Sequence, residues 1–231
     1  MRNSRGVSRA SNIRLVGSRA KQTIDYEGSL ASGWWIPAGI DPVTAIGAYR
    51  SKGAVSYESS LVNLASPGVY DLTAVDISHT PSWDVDLGWT GDGTDDYLDT
   101  GIIPKSKNYS VFVRMSGNSE RWGKILYANG AAGFGFWQTS SAVMRWVCSS
   151  YYATTAVLIE SGVLCMSFKV GYTDGVANGA TGTGYLVPTT SFQICGQGTD
   201  FFDGNIQAVA IYHSILSAEQ VLAVSNEMAA L

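Results

Sequence analysis

From residue 109 to residue 214 the chain is a succession of short β-forming runs cut by turn dipeptides, and this rhythm leaves few folds open. YSVFVRMS (109–116), GKILYAN (123–129), GFGFWQ (133–138), AVMRWVCS (142–149), ATTAVLI (153–159) and VLCMSFKVGY (163–172) follow one another at strand-like spacing. SFQICG (191–196) and GNIQAVAIYHS (204–214) complete the series. Asn129-Gly130, Asn178-Gly179, Thr183-Gly184 and Asp203-Gly204 separate the runs, and such dipeptides supply the positive φ that tight turns need. Many short strands at regular intervals predict an all-β antiparallel sandwich or barrel. No G-x-G-x-x-G precedes a helix, and neither a P-loop nor a βαβ alternation occurs, which argues against nucleotide-dependent chemistry.

Two stretches read as helical. SYESSLVNLA (56–65) stops at Ser66-Pro67-Gly68. SAEQVLAVSNEMAAL (217–231) opens with Ser217 and Gln220 in capping-box spacing, with Val221, Leu222 and Met228 as its apolar stripe. A terminal helix of this kind is expected against one end of the sandwich. The odd set Cys148, Cys165 and Cys195 lies in apolar runs and reads as buried small hydrophobes rather than as a disulfide framework. No run of about 18 apolar residues is present, so no membrane span is expected. The basic N-terminus lacks the apolar stretch and cleavage site of a signal peptide.

Charge is divided along the chain. Arg2, Arg5, Arg9, Arg14, Arg19 and Lys21 all precede the first acid, Asp25. The remainder holds 9 basic residues against 19 acidic ones. A Ser-, Gly- and Asn-rich basic stretch cannot bury enough apolar surface to fold alone. It reads as an N-terminal arm (1–47) that docks on an acidic neighbour, with a nucleic-acid tail as the less favoured alternative because its cations are sparse. Within it, SGWWIPAGIDPV (32–43) is apolar but interrupted by Pro37 and Pro42, which oppose helix and central strand alike. Trp34 and Trp35 are the natural anchors, either on the chain's own core or on another subunit.

FFDGNIQAVAIYHSILSAEQVLAV (201–224) resembles the C-terminal signature of the laminin-G-like, concanavalin A-like jelly rolls, at Phe202, Gly204, Ile206, Tyr212, Leu216, Ser217 and Glu219. TDGVANGATGTG (173–184) is similar to that family's Asp-Gly and Asn-Gly hairpin, and PSWDVDLGWTGDGTDDYLDTG (81–101) to its upstream strands. The resemblance covers roughly residues 60–231 and implies a jelly-roll β-sandwich over 48–231. A narrower likeness, through AYRSKGAVSYESSLVNLASPGVYDLT (48–73), is to proteins of tailed bacteriophages and prophages. It implies a virion structural or decoration protein, on capsid or tail, with other virion proteins and further copies of itself as partners. The alternative it leaves open is a carbohydrate-binding module for cell-surface glycans. Trp122, Trp137, Tyr151 and Tyr152 are the candidate sugar-binding aromatics, with core packing as the competing role; SSYYATT places the tyrosine pair in a turn.

GDGTDDYLDTG (91–101) carries Asp92, Asp95, Asp96 and Asp99. The spacing lacks the alternating register of an EF-hand loop, so a solvated turn is the expected reading, with Tyr97 pointing inward. Laminin-G-like domains sometimes hold calcium at a sandwich rim, and by that resemblance Asp92 and Asp95 are the candidate ligands. No other cofactor is expected. Glycoside hydrolases of this fold place paired carboxylates in E-x-D-x-E strands. None of Glu27, Glu58, Glu120, Glu160, Glu219 and Glu227 has an Asp two residues later, so the chain reads as non-enzymatic.

Overall fold

The computed structural model describes residues 33–106, 108–117, 123–129, 133–139, 143–149, 151–154, 159–180 and 187–231, with the backbone alone at 151–153. In chain order the strands are β1 (Ala45–Arg50), β2 (Thr73–Ala74), β3 (Ser82–Asp84), β4 (Gly88–Thr90), β5 (Leu98–Asp99), β6 (Ser110–Ser116), β7 (Gly123–Ala128), β8 (Gly133–Thr139) and β9 (Val143–Ser149). They continue with β10 (Tyr151–Thr154), β11 (Gly162–Ser167), β12 (Val170–Thr173), β13 (Val176–Ala180), β14 (Gln193–Ile194), β15 (Gly196–Gln197), β16 (Asp200–Phe201) and β17 (Asn205–Tyr212). The helices are α1 (Tyr57–Ser60) and α2 (Ala218–Ala229).

Two sheets face each other as an antiparallel β-sandwich, one of the two architectures left open by the strand rhythm and the one implied by the jelly-roll resemblance. The first runs β13-β12-β11-β6-β17-β4-β3, with β1 also on β17; the second runs β10-β9-β8-β7-β14-β5-β2, with β15 and β16 beside β7. Among the described residues one pairing is parallel, the bridge between Phe201 and Lys124. Alternation on the strands builds the core between the sheets. Val111, Val113 and Met115 of β6 and Ile206, Val209 and Ile211 of β17 share one buried cluster with Phe134, Phe136 and Trp146. Gly135 explains the GFGF pattern: at φ +140° it lies so close to the neighbouring strand that a Cβ would meet the Leu126 carbonyl at 2.0 Å.

The first sheet is also buried on its other face. Phe112, Val163, Cys165, Ala208, Ala210 and Tyr212 pack there against Val221, Val224 and Met228 of α2. Helix α2 therefore covers a face of the sheet rather than an end of the sandwich. Ser217 and Gln220 form the predicted capping box, but Leu222 is 45% exposed and Val224 takes the place expected for it. Trp34, Trp35 and Ile36 pack against the same layer, the Tyr212 hydroxyl donates to the Trp35 carbonyl at 2.6 Å, and the Gln220 amide donates to the Gly39 carbonyl. The tryptophan pair thus anchors on the chain's own sheet. Ser32–Leu231 forms one compact unit, and the expected boundary after residue 47 runs through β1. Arg2, Arg5, Arg9, Arg14 and Arg19 lie outside the described residues.

Other local expectations shift for identifiable reasons. VLCMSFKVGY is a hairpin, because Phe168 turns the chain at φ +51° between β11 and β12. Helix α1 is a single turn, since the chain leaves it to lay Asn63 against β1. Leu98, not Tyr97, is the fully buried side chain of its strand, set by its register with Ile194 and Ala74. The three cysteines are buried as free thiols.

The face on which α2 sits sets an expected asymmetry between two neighbouring residues. Val224→Asp places an unpaired charge in a buried seam and should cost about 3 kcal/mol or more. Leu222→Asp should cost less than about 1 kcal/mol, as an exposed substitution does. Urea unfolding of both variants measures the difference.

Candidate ligand-binding cleft

Among the described residues, a concave feature with converging aromatic and polar groups lies at one end of the first sheet. It is a cleft of about 340 Å³ where β1 begins, β17 ends and the segment 101–109 leads into β6. Ile46, Ile102 and Tyr109 form its inner wall, while Tyr70, Ile103, Lys105, Ser106 and His213 stand around its mouth.

Asn63 builds this end of the molecule. Strand β1 pairs with β17 along one edge, which leaves the backbone groups of its other edge to be satisfied. The buried Asn63 side chain does this: Oδ1 accepts from the Ala48 and Ala65 amides, and Nδ2 donates to the Ile46 and Val69 carbonyls. Asp71 closes the loop, accepting from the Asn63 and Gly68 amides. Between these clamps the SPGVYD turn presents Tyr70 at φ +61°, a conformation that costs a bulky L-residue of order 1–2 kcal/mol. The Tyr49 hydroxyl, buried in the core, donates to the Tyr70 carbonyl at 2.7 Å and holds it there. Tyr70 nevertheless remains 46% exposed.

The other walls are equally tied. The Thr100 hydroxyl donates to the Phe192 carbonyl, and the Phe192 amide donates to the Ile102 carbonyl. Tyr109 stacks at a tilt on Phe192, with centroids 6.1 Å apart. The His213 amide donates to the Thr44 carbonyl. Burial raises the Tyr109 phenol above its ordinary value, against an opposing hydrogen bond with the Lys105 backbone, so Tyr109 stays a neutral donor at physiological pH. Such a rigid, partly aromatic concavity with a few polar groups at its mouth is the usual form of a small-ligand site.

Among the residues expected from sequence, Trp137 stands on the outer face of the second sheet, in register with Lys124 and Arg145, and the Arg145 guanidinium lies 5.2 Å from its ring centroid. That face is largely closed: Tyr127, Thr139 and Val147 are 6%, 4% and 5% exposed. Tyr151 and Tyr152 belong to β10 and pair with Cys148 and Val147, so they sit in a strand and not in a turn. Their side chains, and Trp122 altogether, lie outside the described residues.

The acidic stretch forms a separate rim. Asp92, Asp95 and Asp96 offer carboxylate oxygens within 4.8 Å of one another. Asp92 Oδ1 accepts from the amides of Thr94, Asp95 and Asp96; burial opposes ionisation, but these amides hold the carboxyl below its usual value. Three carboxylates supply part of the six to eight oxygens of a calcium shell. His79 bridges outward, with Nδ1 2.7 Å from Asp76 and Nε2 3.6 Å from Asp95. Hydrogen bonds from Ser78 and then His79 lower the Asp76 carboxyl to about 2.

Sequence reasoning missed Tyr70, Lys105 and Tyr109 because none lies in a recognisable motif. The legible signals were a lone aromatic after Ser66-Pro67-Gly68 and the Asn63–Asp71 spacing, neither of which reveals a cleft.

No family model and no curated protein matches this sequence. Solved structures do resemble it. A mutant of Trypanosoma rangeli sialidase displaying trans-sialidase activity is 14% identical, with a TM-score of 0.58 over 84% of this chain and 35% of that chain. Domain 4 of AbnA, a GH43 extracellular arabinanase from Geobacillus stearothermophilus, solved in complex with arabinotriose, is 16% identical, with a TM-score of 0.50 over 79% of this chain and 98% of that one. The chain spans about a third of the sialidase. At these identities the likeness establishes the β-sandwich fold.

The acidic rim sets the sign of one pH effect. Burial, with the Asp92 and Asp95 charges, raises the Asp96 carboxyl above its usual value. The native state then binds the proton more tightly than the unfolded chain, so this group's contribution to stability falls as pH rises through the raised value. Asp96→Asn should raise Tm at pH 7 and leave it nearly unchanged below about pH 4. If added calcium raises the parent Tm and Asp96→Asn abolishes that rise, the rim is a cation site instead.

Proposed function

We propose that this chain is a non-enzymatic β-sandwich that binds saccharides through the cleft at Tyr70. The observation that carries the reading is Tyr70 itself. A half-exposed aromatic is held in an unfavourable backbone conformation, over a concavity, by a dedicated buried hydrogen-bond network. An exposed ring of this kind suits the C–H face of a sugar, and Tyr109 and the cleft mouth supply hydrogen-bonding groups for hydroxyls. A domain of similar fold has been solved with arabinotriose, which supports the same class of ligand. The reading needs no cofactor. The sequence has no paired-glutamate strand of the glycoside hydrolase kind, which supports binding without turnover.

A second layer of the proposal concerns where the sandwich is carried. The likeness of 48–73 to phage and prophage proteins, and six basic residues ahead of the first acid, favour an outward-facing domain of a bacteriophage particle docked through its N-terminal segment. Removing residues 1–31 should leave a folded body that no longer joins the particle; retained incorporation, read by immunolabelled electron microscopy, overturns this layer.

The saccharide reading is tested with Tyr70→Gly. Glycine removes the ring and relieves the positive φ, while its greater unfolded-state entropy costs about 0.4–1 kcal/mol, so Tm should change little. Screened against a broad panel of neutral and acidic oligosaccharides, the parent protein should bind at least one class. Tyr70→Gly should weaken that binding at least about tenfold. Absence of binding across the panel, or an unaffected Tyr70→Gly, overturns the reading.

A further inference from the structure

We infer that the cleft selects acidic saccharides, taking a uronate-type sugar with its apolar face on Tyr70 and its carboxylate toward Lys105 and His213; this rests on the saccharide reading above. Its basis is a local reversal of charge. Residues 22–231 carry 19 acidic side chains against 9 lysines and arginines, yet the cleft is lined by Lys105 and His213 and, among the described residues, by no acid. Both side chains are exposed, and among the described residues neither is paired with a carboxylate.

The acids adjacent in sequence are committed elsewhere. Asp71 accepts from the Gly68 and Asn63 amides, and Asp99 accepts from the Gly101 amide. Both instead act on the buried Tyr49 phenol, which burial first and their charges next push up, so it remains the donor that holds Tyr70. A carboxylate entering the cleft therefore meets the Lys105 ammonium and the N–H groups of the His213 ring, with no acid among the described residues at the wall. Ile46 and Ile102 make the inner wall apolar, which strengthens such a contact relative to one on an open surface. A bare inorganic anion would forgo the aromatic and aliphatic walls, whereas a sugar ring bearing a carboxylate uses both.

The test compares galacturonate oligomers with their methyl esters, which keep the shape and lose the charge, by titration calorimetry at low ionic strength. The acid form should bind roughly tenfold more tightly, as expected for charge-assisted hydrogen bonds. Lys105→Gln and His213→Gln should each weaken binding of the acid form more than binding of the ester and so shrink that preference, and added salt should erode it. Equal binding of acid and ester, or a preference that survives both substitutions, overturns the inference. Binding of neutral oligosaccharides alone overturns it while leaving the saccharide reading in place. Failure of every saccharide overturns both.

Discussion

Strand β17 is the constraint around which the molecule is arranged. NIQAVAIY is apolar on both faces, so a two-layer sandwich would leave one apolar side in water. Ile206, Val209 and Ile211 fill the core between the sheets, and Ala208, Ala210 and Tyr212 require a third layer. Helix α2 and the Trp34–Ile36 segment provide it. The small Ala208 and Ala210 keep the helix close, and the Tyr212 hydroxyl finds its partner in the Trp35 backbone, so the buried polar atom is satisfied. Because β17 also pairs with β6, β4 and β1, its placement sets the registers of the whole first sheet.

Asn63 does for the edge of that sheet what α2 does for its face. Its amide makes four hydrogen bonds, all to backbone, and so finishes a strand edge that would otherwise stay open. Removing it would leave several buried backbone groups without partners, each costing about 1–3 kcal/mol. The same network fixes the SPGVYD turn, which places the aromatic group of the cleft. Stability and site geometry at this end of the molecule are therefore one piece of chemistry.

The class of fold was legible because it follows from local rules. Period-two alternation and the Ser217–Gln220 capping box act over a few residues and recur in the structure, whereas Asn178-Gly179, expected in a turn, lies within β13, and Asn129-Gly130 and Thr183-Gly184 reach outside the described residues. Where local reading faltered, a distant partner had decided the matter. Leu98 faces the core because of its pairing with Ile194, Tyr151 enters a strand because Cys148 is beside it, and α2 turns Val224 inward because sheet residues lie beneath. The aromatics chosen from sequence were prominent by composition, yet the face bearing Trp137 is mostly closed. The cleft draws on residues from 46 to 213, and no window of sequence contains it.

The sequence by itself determined an antiparallel β-sandwich with a capped terminal helix, three buried cysteines and a basic segment ahead of an acidic body, since each depends on residue type and near-neighbour spacing. Tertiary structure alone decided that the helix seals a sheet face, that the tryptophan pair belongs to the body, and that Tyr70, Tyr109, Lys105 and His213 share one cleft. The reason is physical. Burial and hydrogen-bond satisfaction are settled between segments far apart in the chain, and only the folded molecule brings those segments together.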